Sequence, residues 1–158
     1  SDQLHVGPEG FGLLSASFGL GALAGALTTA TFRRASWRLF AAGASGFGVL
    51  ALALAPVTNA PLAGVLLFAV GVSFTLFTAN ANALVQLGSP DMLRGRMVAL
   101  YLFAFVGTAP LGGLLTGWLA NLGGTELAFS VAGVTSLATI ALASVHRSRT
   151  FVPATTRT

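Results

Sequence analysis

The sequence predicts an all-α integral membrane protein with five transmembrane helices. Three observations carry that prediction. Five long apolar stretches contain no charged side chain. All the basic residues, eight arginines and no lysine, fall on one side of the pattern those stretches define. With 54% hydrophobic and 8% charged residues and a mean hydropathy of +0.84, the chain has too few charges to solvate a globular surface, which usually carries about a quarter.

The stretches run from Phe11 to Thr31, Leu39 to Ala55, Leu62 to Leu87, Met97 to Ala120 and Leu127 to Val145, and form one membrane domain followed by a tail over 146–158. About 20 helical residues cross the ~30 Å hydrocarbon layer, so four are long enough outright and the second reaches with its flanks. Arg33, Arg34 and Arg38 follow the first, Arg94 and Arg96 precede the fourth, and Arg147, Arg149 and Arg157 follow the fifth. Asp2, Glu9 and Glu126 lie on the opposite side. Short Arg-rich loops stay cytoplasmic, which puts the N-terminus outside and the C-terminus inside and requires an odd number of crossings.

The first stretch places Ser17, Gly21 and Gly25 at spacing four, and the fourth repeats this with Ala109, Gly113 and Gly117. Small residues at that interval let two backbones approach in lipid, so both helices are expected to be interfacial, although glycine is also simply common in membrane helices. Pro110 removes a backbone donor within the fourth stretch and should bend it, either as a static kink or at a moving interface. In the third, Thr75, Thr78, Asn82 and Gln86 share one helical face, with Ser73 and Asn80 on a second polar line. Amides inside a membrane need hydrogen-bond partners or a hydrated cavity, so the first face either meets substrate or bonds neighbouring helices. No Asp, Glu or His lies within a stretch, and none of the five holds a proton relay or ion-coupling site.

Enzymatic chemistry has no support. Gly43-Ala44-Ser45-Gly46 resembles the serine motif of rhomboid proteases, but His5 and His146 are both terminal and no general base is in reach. Gly19, Gly21 and Ala24 echo a dinucleotide fingerprint without its strand or its acidic partner. There is no metal-ligand cluster and no cofactor motif, and with no cysteine thiolate chemistry is excluded. The net charge of +4 is divided among separate loops, which fits lipid headgroups better than nucleic acid. The chain opens on Ser1-Asp2-Gln3-Leu4-His5, with no signal-peptide pattern and no initiating Met, and is expected to be either trimmed or part of a longer chain.

The segment Gln86-Leu-Gly-Ser-Pro-Asp-Met-Leu-Arg-Gly-Arg-Met97, followed by Gly107-Thr-Ala-Pro-Leu-Gly-Gly113 and Gly117, resembles the major facilitator superfamily, and most of all its bacterial exporter branch of enterobactin and macrolide efflux proteins. Upstream, Gly7-Pro-Glu-Gly-Phe-Gly-Leu-Leu14 and Phe18-Gly-Leu-Gly-Ala-Leu-Ala-Gly25 look like the loop into that family's eighth helix. The resemblance implies a partial major-facilitator bundle, helices eight to twelve. Its eighth and eleventh helices would face the other half of the transporter, and the Thr75, Thr78, Asn82, Gln86 face would line the cavity. The cytoplasmic loop Asp91, Arg94, Gly95 and Arg96 would act as hinge or gate, with Asp91 pairing an arginine and Gly95 permitting a tight turn. The implied function is secondary active export of a small amphipathic or hydrophobic compound from a bacterial inner membrane. Its partners would be the bilayer, the small-molecule substrate, and the missing N-terminal half or another helical membrane protein. The alternatives are a non-transporting protein that binds other helices and a vestigial truncated product.

Overall fold

A computed structural model describes residues 8–31 and 35–150; Arg33, Arg34, His5 and the segment 151–158 lie outside the described residues. The chain forms four long helices: α1 (Pro8–Thr31), α2 (Trp37–Leu54), α3 (Ala60–Leu87) and α4 (Arg94–Thr150), with a 3-10 turn, Asp91–Leu93, leading into α4. The starts of α2 and α3 are set by caps. The Ser36 side chain accepts from the Leu39 N–H at 3.2 Å and the Asn59 side chain from the Leu62 N–H at 3.2 Å, satisfying amides that the first helical turn leaves open.

Among the described residues four helices, not the five expected, are long and apolar enough to cross a membrane. The difference lies in α4, which takes up both the fourth and the fifth apolar stretch and continues past Val145 into the expected tail. A straight helix of its 57 residues would be about 85 Å long, far beyond the ~30 Å of hydrocarbon. It is interrupted where the sequence places a connection. Gly123 (φ −143°, ψ 25°) and Gly124 (φ 72°, ψ −176°) leave helical geometry, and the second conformation is essentially open to glycine alone.

The packing contacts give each element its direction. Gly21 meets Phe68 and Gly25 meets Val72 and Thr75, so α1 and α3 run parallel. Gly43 lies against Phe77, Gly46 against Ser73, and Ser36 is bonded to Asn80, so α2 is antiparallel to α3. Before the glycine pair, Tyr101 donates to the Thr78 carbonyl at 3.4 Å and the Phe105 ring lies 6.5 Å from that of Phe74, antiparallel to α3. After it, the Ser136 hydroxyl donates to the Ala44 carbonyl at 3.1 Å and Gly133 lies against Gly48 and Leu52, antiparallel to α2. The two segments of α4 therefore run in opposite directions, and Gly123 and Gly124 form the turn between them. The end of α1, the start of α2, the end of α3 and both ends of α4 consequently gather at one end of the bundle.

The packing is membrane-like in composition. The buried apolar residues are mostly small (Ala44, Ala51, Ala55, Ala63, Ala128), while Phe11, Leu23, Val65, Phe103 and Leu114 point outward. Large apolar side chains face lipid and small ones face helices, as expected where hydrocarbon is the solvent. α3 is the hub. It touches α1, α2 and α4, and among the described residues α1 packs on α3 alone. Phe74 sits at the crossing, its ring 6.0 Å from Phe18 of α1, 6.1 Å from Phe47 of α2 and 6.5 Å from Phe105 of α4.

A side chain on Gly71 would run into the Phe18 carbonyl and the Ala22 amide, whereas one on Gly12 would meet nothing within 4 Å. Gly71→Leu is accordingly expected to destabilise the detergent-solubilised protein by about 1–3 kcal/mol, read as a fall in melting temperature, with Gly12→Leu close to neutral. Equal effects from the two substitutions would contradict this packing.

Candidate transport face and cytoplasmic loop

The polar residues of α3 divide by the neighbour they meet. Thr75 is in contact range of α1, since a Cβ placed on Gly25 would lie 3.0 Å from the Thr75 Cβ. The Thr78 hydroxyl donates to the Phe74 carbonyl at 2.9 Å, and its own carbonyl receives the Tyr101 hydroxyl from α4. Continuing the α1–α3 register brings Thr31 level with Thr78, so Asn82 and Gln86 lie beyond the described end of α1. There the Gln86 amide donates to the Asn82 Oδ1 at 2.6 Å; Asn82 is half-buried and Gln86 exposed. Thr75 and Thr78 are thus engaged between helices, while Asn82 and Gln86 form an amide pair on an open strip.

The second polar line contains the residue whose importance the sequence understated. Asn80 is 1% exposed, the most deeply buried polar side chain among the described residues. Its Nδ2 donates to the Leu76 carbonyl at 2.8 Å, and its Oδ1 accepts the Ser36 N–H at 3.3 Å. It therefore ties the entry of α2, immediately after the Arg-rich connection, to the last third of α3. Helical periodicity places Asn80 on a face but does not show that this face meets the start of another helix. The phenylalanine cluster around Phe74 was likewise missed. Its only signal in the sequence is the phenylalanine pairs 74 and 77 on α3 and 40 and 47 on α2, which periodicity does not distinguish from lipid-facing apolar residues.

The loop after α3 is compact. The Ser89 hydroxyl donates to the Val85 carbonyl at 2.6 Å, and the Leu93 amide to the Pro90 carbonyl at 2.9 Å. Asp91 and Arg94 form an ion pair at 2.7 Å, and Arg94 Nε donates to the Gln86 carbonyl at 3.3 Å. Arg94 thereby joins the acidic loop to the carbonyl end of α3, the end of a helix that favours a cation. With Asp91 89% and Arg94 49% exposed, the pair is worth little to stability by itself. Gly95 does not make the turn expected of it. It lies in the first turn of α4 with a helical backbone and open space around it, and the chain instead changes direction at Gly88, Ser89 and Pro90. Arg96 is exposed beside it.

The two small-residue seams have different fates. Gly21 and Gly25 are used within the chain, against α3, and Ser17, whose hydroxyl donates to the Leu13 carbonyl, lies beside Gly64 of α3. Ala109, Gly113 and Gly117 are exposed, and a side chain on either glycine would meet no group of another helix within 4 Å. Helical dihedral angles persist through Pro110, and the break in α4 comes at the glycine pair instead. Among the described residues no group of three or more His, Asp or Glu side chains could hold a metal.

Replacing Asn80 by Leu would leave the half-buried Ser36 N–H without its partner. The expected cost is about 1–3 kcal/mol, measured as reduced thermal stability of the purified protein, with Asn82→Leu clearly milder because Asn82 bonds only a side chain at the open strip. An Asn80→Leu protein as stable as the parent would refute the tie.

Comparison with known proteins agrees with the membrane architecture. A family model described as transmembrane secretion effector matches residues 1–156. No curated protein and no solved structure matches the chain. With apolar helices long enough to cross a bilayer several times and a family match over nearly its whole length, the chain belongs to the transmembrane secretion effector family, a group of major-facilitator-type membrane transporters.

Proposed function

We propose that this chain is the C-terminal part, helices eight to twelve, of a secondary exporter that moves a small amphipathic or hydrophobic compound out across a bacterial inner membrane. In this reading α4 crosses twice, turning at Gly123 and Gly124, so the bundle makes five crossings with the N-terminus outside and the C-terminus cytoplasmic. The observation that carries it is the agreement of two independent patterns. Helix directions taken from packing contacts bring the end of α1, the start of α2, the end of α3 and both ends of α4 together, and these are the positions beside which every arginine lies. Arginine-rich short segments stay on the cytoplasmic side.

Of the four polar residues on the first face of α3, Asn82 and Gln86 are the pair available to a substrate. They offer a donor and an acceptor near the cytoplasmic end, close to where a compound arriving from the inner leaflet would enter. The loop from Asp91 to Arg96 lies directly beside them, and Arg94, bonded to the Gln86 backbone, can carry a change at this strip into the start of α4. The rest of the transporter would dock on the unpartnered Ala109, Gly113 and Gly117 face, where backbones can approach closely. That face also supports a second reading, in which the protein binds other helices without transporting. A stable complex through Gly113 and Gly117 with no associated solute flux would favour it.

In the complete transporter, Asn82→Leu and Gln86→Leu are each expected to reduce export about fivefold, the worth of one hydrogen bond near 1 kcal/mol, with unchanged protein in the membrane. Normal export by both variants would remove the substrate role from this face.

A further inference from the structure

A groove of about 430 Å³ lies apart from the amide strip, between α2, α3 and the last segment of α4. It is open along Thr135 and Thr139, both exposed. On α4 its lining runs from Ala132 to Ala143. At a helical rise of 1.5 Å per residue this is about 16 Å, close to the ~15 Å depth of the acyl chains of one leaflet, half of a ~30 Å hydrocarbon layer. The other wall is made of phenyl rings, with Phe40 of α2 5.6 Å from Phe77 of α3 and Phe47 of α2 6.1 Å from Phe74 of α3. Phe40 and Ala143 lie at the arginine-bearing end of the bundle, and Phe47 and Ala132 lie deeper. The groove therefore runs inward from that end through one leaflet.

The walls ask for nothing polar. No lining residue carries a charge, and the three hydroxyl protons of the α4 wall are committed to backbone carbonyls: Thr135 to Val131 at 2.7 Å, Ser136 to Ala44 at 3.1 Å and Thr139 to Thr135 at 2.7 Å. The mouth has the opposite character. Arg38 is exposed in the first turn of α2, which holds no acidic residue. Beside it the Trp37 ring lies 5.0 Å from that of Phe40, an aromatic at the level where a membrane meets water. On α4, Arg147 follows Ala143 by four residues, the next position on the helical face that lines the groove. No acidic residue follows Glu126 in the sequence, and Asp91, the one acid on the arginine side, is paired with Arg94.

We propose that the groove and the arginines at its mouth hold one anionic phospholipid as a fixed part of the bundle, with an acyl chain between α2 and the last segment of α4 and its phosphate held by Arg38 and Arg147. Three features fit this occupant together: the length of the groove, its apolar walls, and cationic positions on both helices at its open end. Lipid tails fill any recess that faces hydrocarbon, so the groove by itself selects no lipid. Selection comes from the mouth, where guanidinium groups bond phosphate oxygens in pairs and the surplus of positive charge favours a headgroup with no ammonium of its own. The lipid would join two elements, the start of α2 and the end of α4, which otherwise meet through small residues and the bond from Ser136 to Ala44. That the leaflet is the inner one rests on the export reading; the match between groove and arginines does not.

The test places the full chain in phosphatidylcholine nanodiscs with a minor fraction of phosphatidylglycerol carrying a photoreactive diazirine in its acyl chain, and maps the adducts after irradiation by peptide mass spectrometry. Adducts are expected on the groove walls, Phe40 to Phe47 and Ala132 to Ala143, at least about fivefold above those from diazirine-bearing phosphatidylcholine at the same fraction, the selectivity of roughly one arginine contact. Arg38→Gln combined with Arg147→Gln should bring the two lipids level, and Ala143→Phe, which narrows the groove, should lower the adducts of both. Melting temperatures taken alongside show that the variants remain folded. Excess glycerol phosphate in solution should leave the labelling unchanged, and its loss would make the mouth a site for soluble anions and overturn the lipid. Equal labelling by the two lipids in the parent protein, or an undiminished preference in the double variant, would remove the arginines from recognition. Adducts spread evenly over the groove and the exposed stretch from Leu102 to Trp118 would remove the groove. None of these results bears on export through Asn82 and Gln86, which the flux measurement tests separately.

Discussion

In hydrocarbon an apolar side chain gains nothing by leaving lipid for a neighbouring helix, so association rests on contacts that lipid cannot reproduce, above all backbone against backbone. Here that contact is made by α1 and α3 through Gly21, Gly25 and Gly71, where a single added carbon would overlap the facing chain. α2 repeats the device on both its sides, with Gly43 against α3 and Gly48 against Gly133 of α4. The glycines bring helices near enough for weak dispersion forces to add up, and they set the registers from which the other contacts follow. Phe74 can reach the rings of three other helices only because those helices are held this close.

Two departures from simple apolar packing then give the bundle its specificity. Asn80 places the entry of α2 against α3 through a half-buried hydrogen bond, a directional constraint that dispersion does not supply. Gly124 adopts a conformation that any other residue would strain to reach, and so fixes the point at which α4 turns back. The first segment of α4, almost wholly exposed from Leu102 to Trp118, is attached to α3 chiefly through Tyr101 and Phe105. It is the least supported element of the chain, and it presents its own small-residue seam outward.

Much of this was legible in the residues. Absence of charge over five stretches marked the helices, because in lipid no other regular structure built from these residues satisfies its own backbone. Spacing four identified Gly21 and Gly25 as a close-approach surface, but could not say whether the partner was α3 or another molecule, and the same spacing at Gly113 and Gly117 corresponds to an open face. The amide line of α3 read as one surface. It proves to be two, since Thr75 and Thr78 are taken up by neighbouring helices, and which neighbours reach them depends on the register, which no local pattern encodes. Gly95 misled because glycine in a loop motif suggests a turn, yet Pro90 and the 3-10 turn Asp91–Leu93 had already redirected the chain. The count of helices differed because a two-glycine turn is short enough for helical structure to resume at once.

The account stands or falls on α4 doubling back, with every arginine-bearing segment on one face of the membrane. The chain has no cysteine, so single cysteines can be introduced at Thr58, Met92, Asn121 and Ser148 and treated in intact cells with a membrane-impermeant maleimide. Labelling at Thr58 and Asn121 with protection at Met92 and Ser148, reversed when the cells are opened, is the predicted result. Labelling of Asn121 and Ser148 from the same side would contradict it, since α4 would not then return across the membrane beyond its glycine pair.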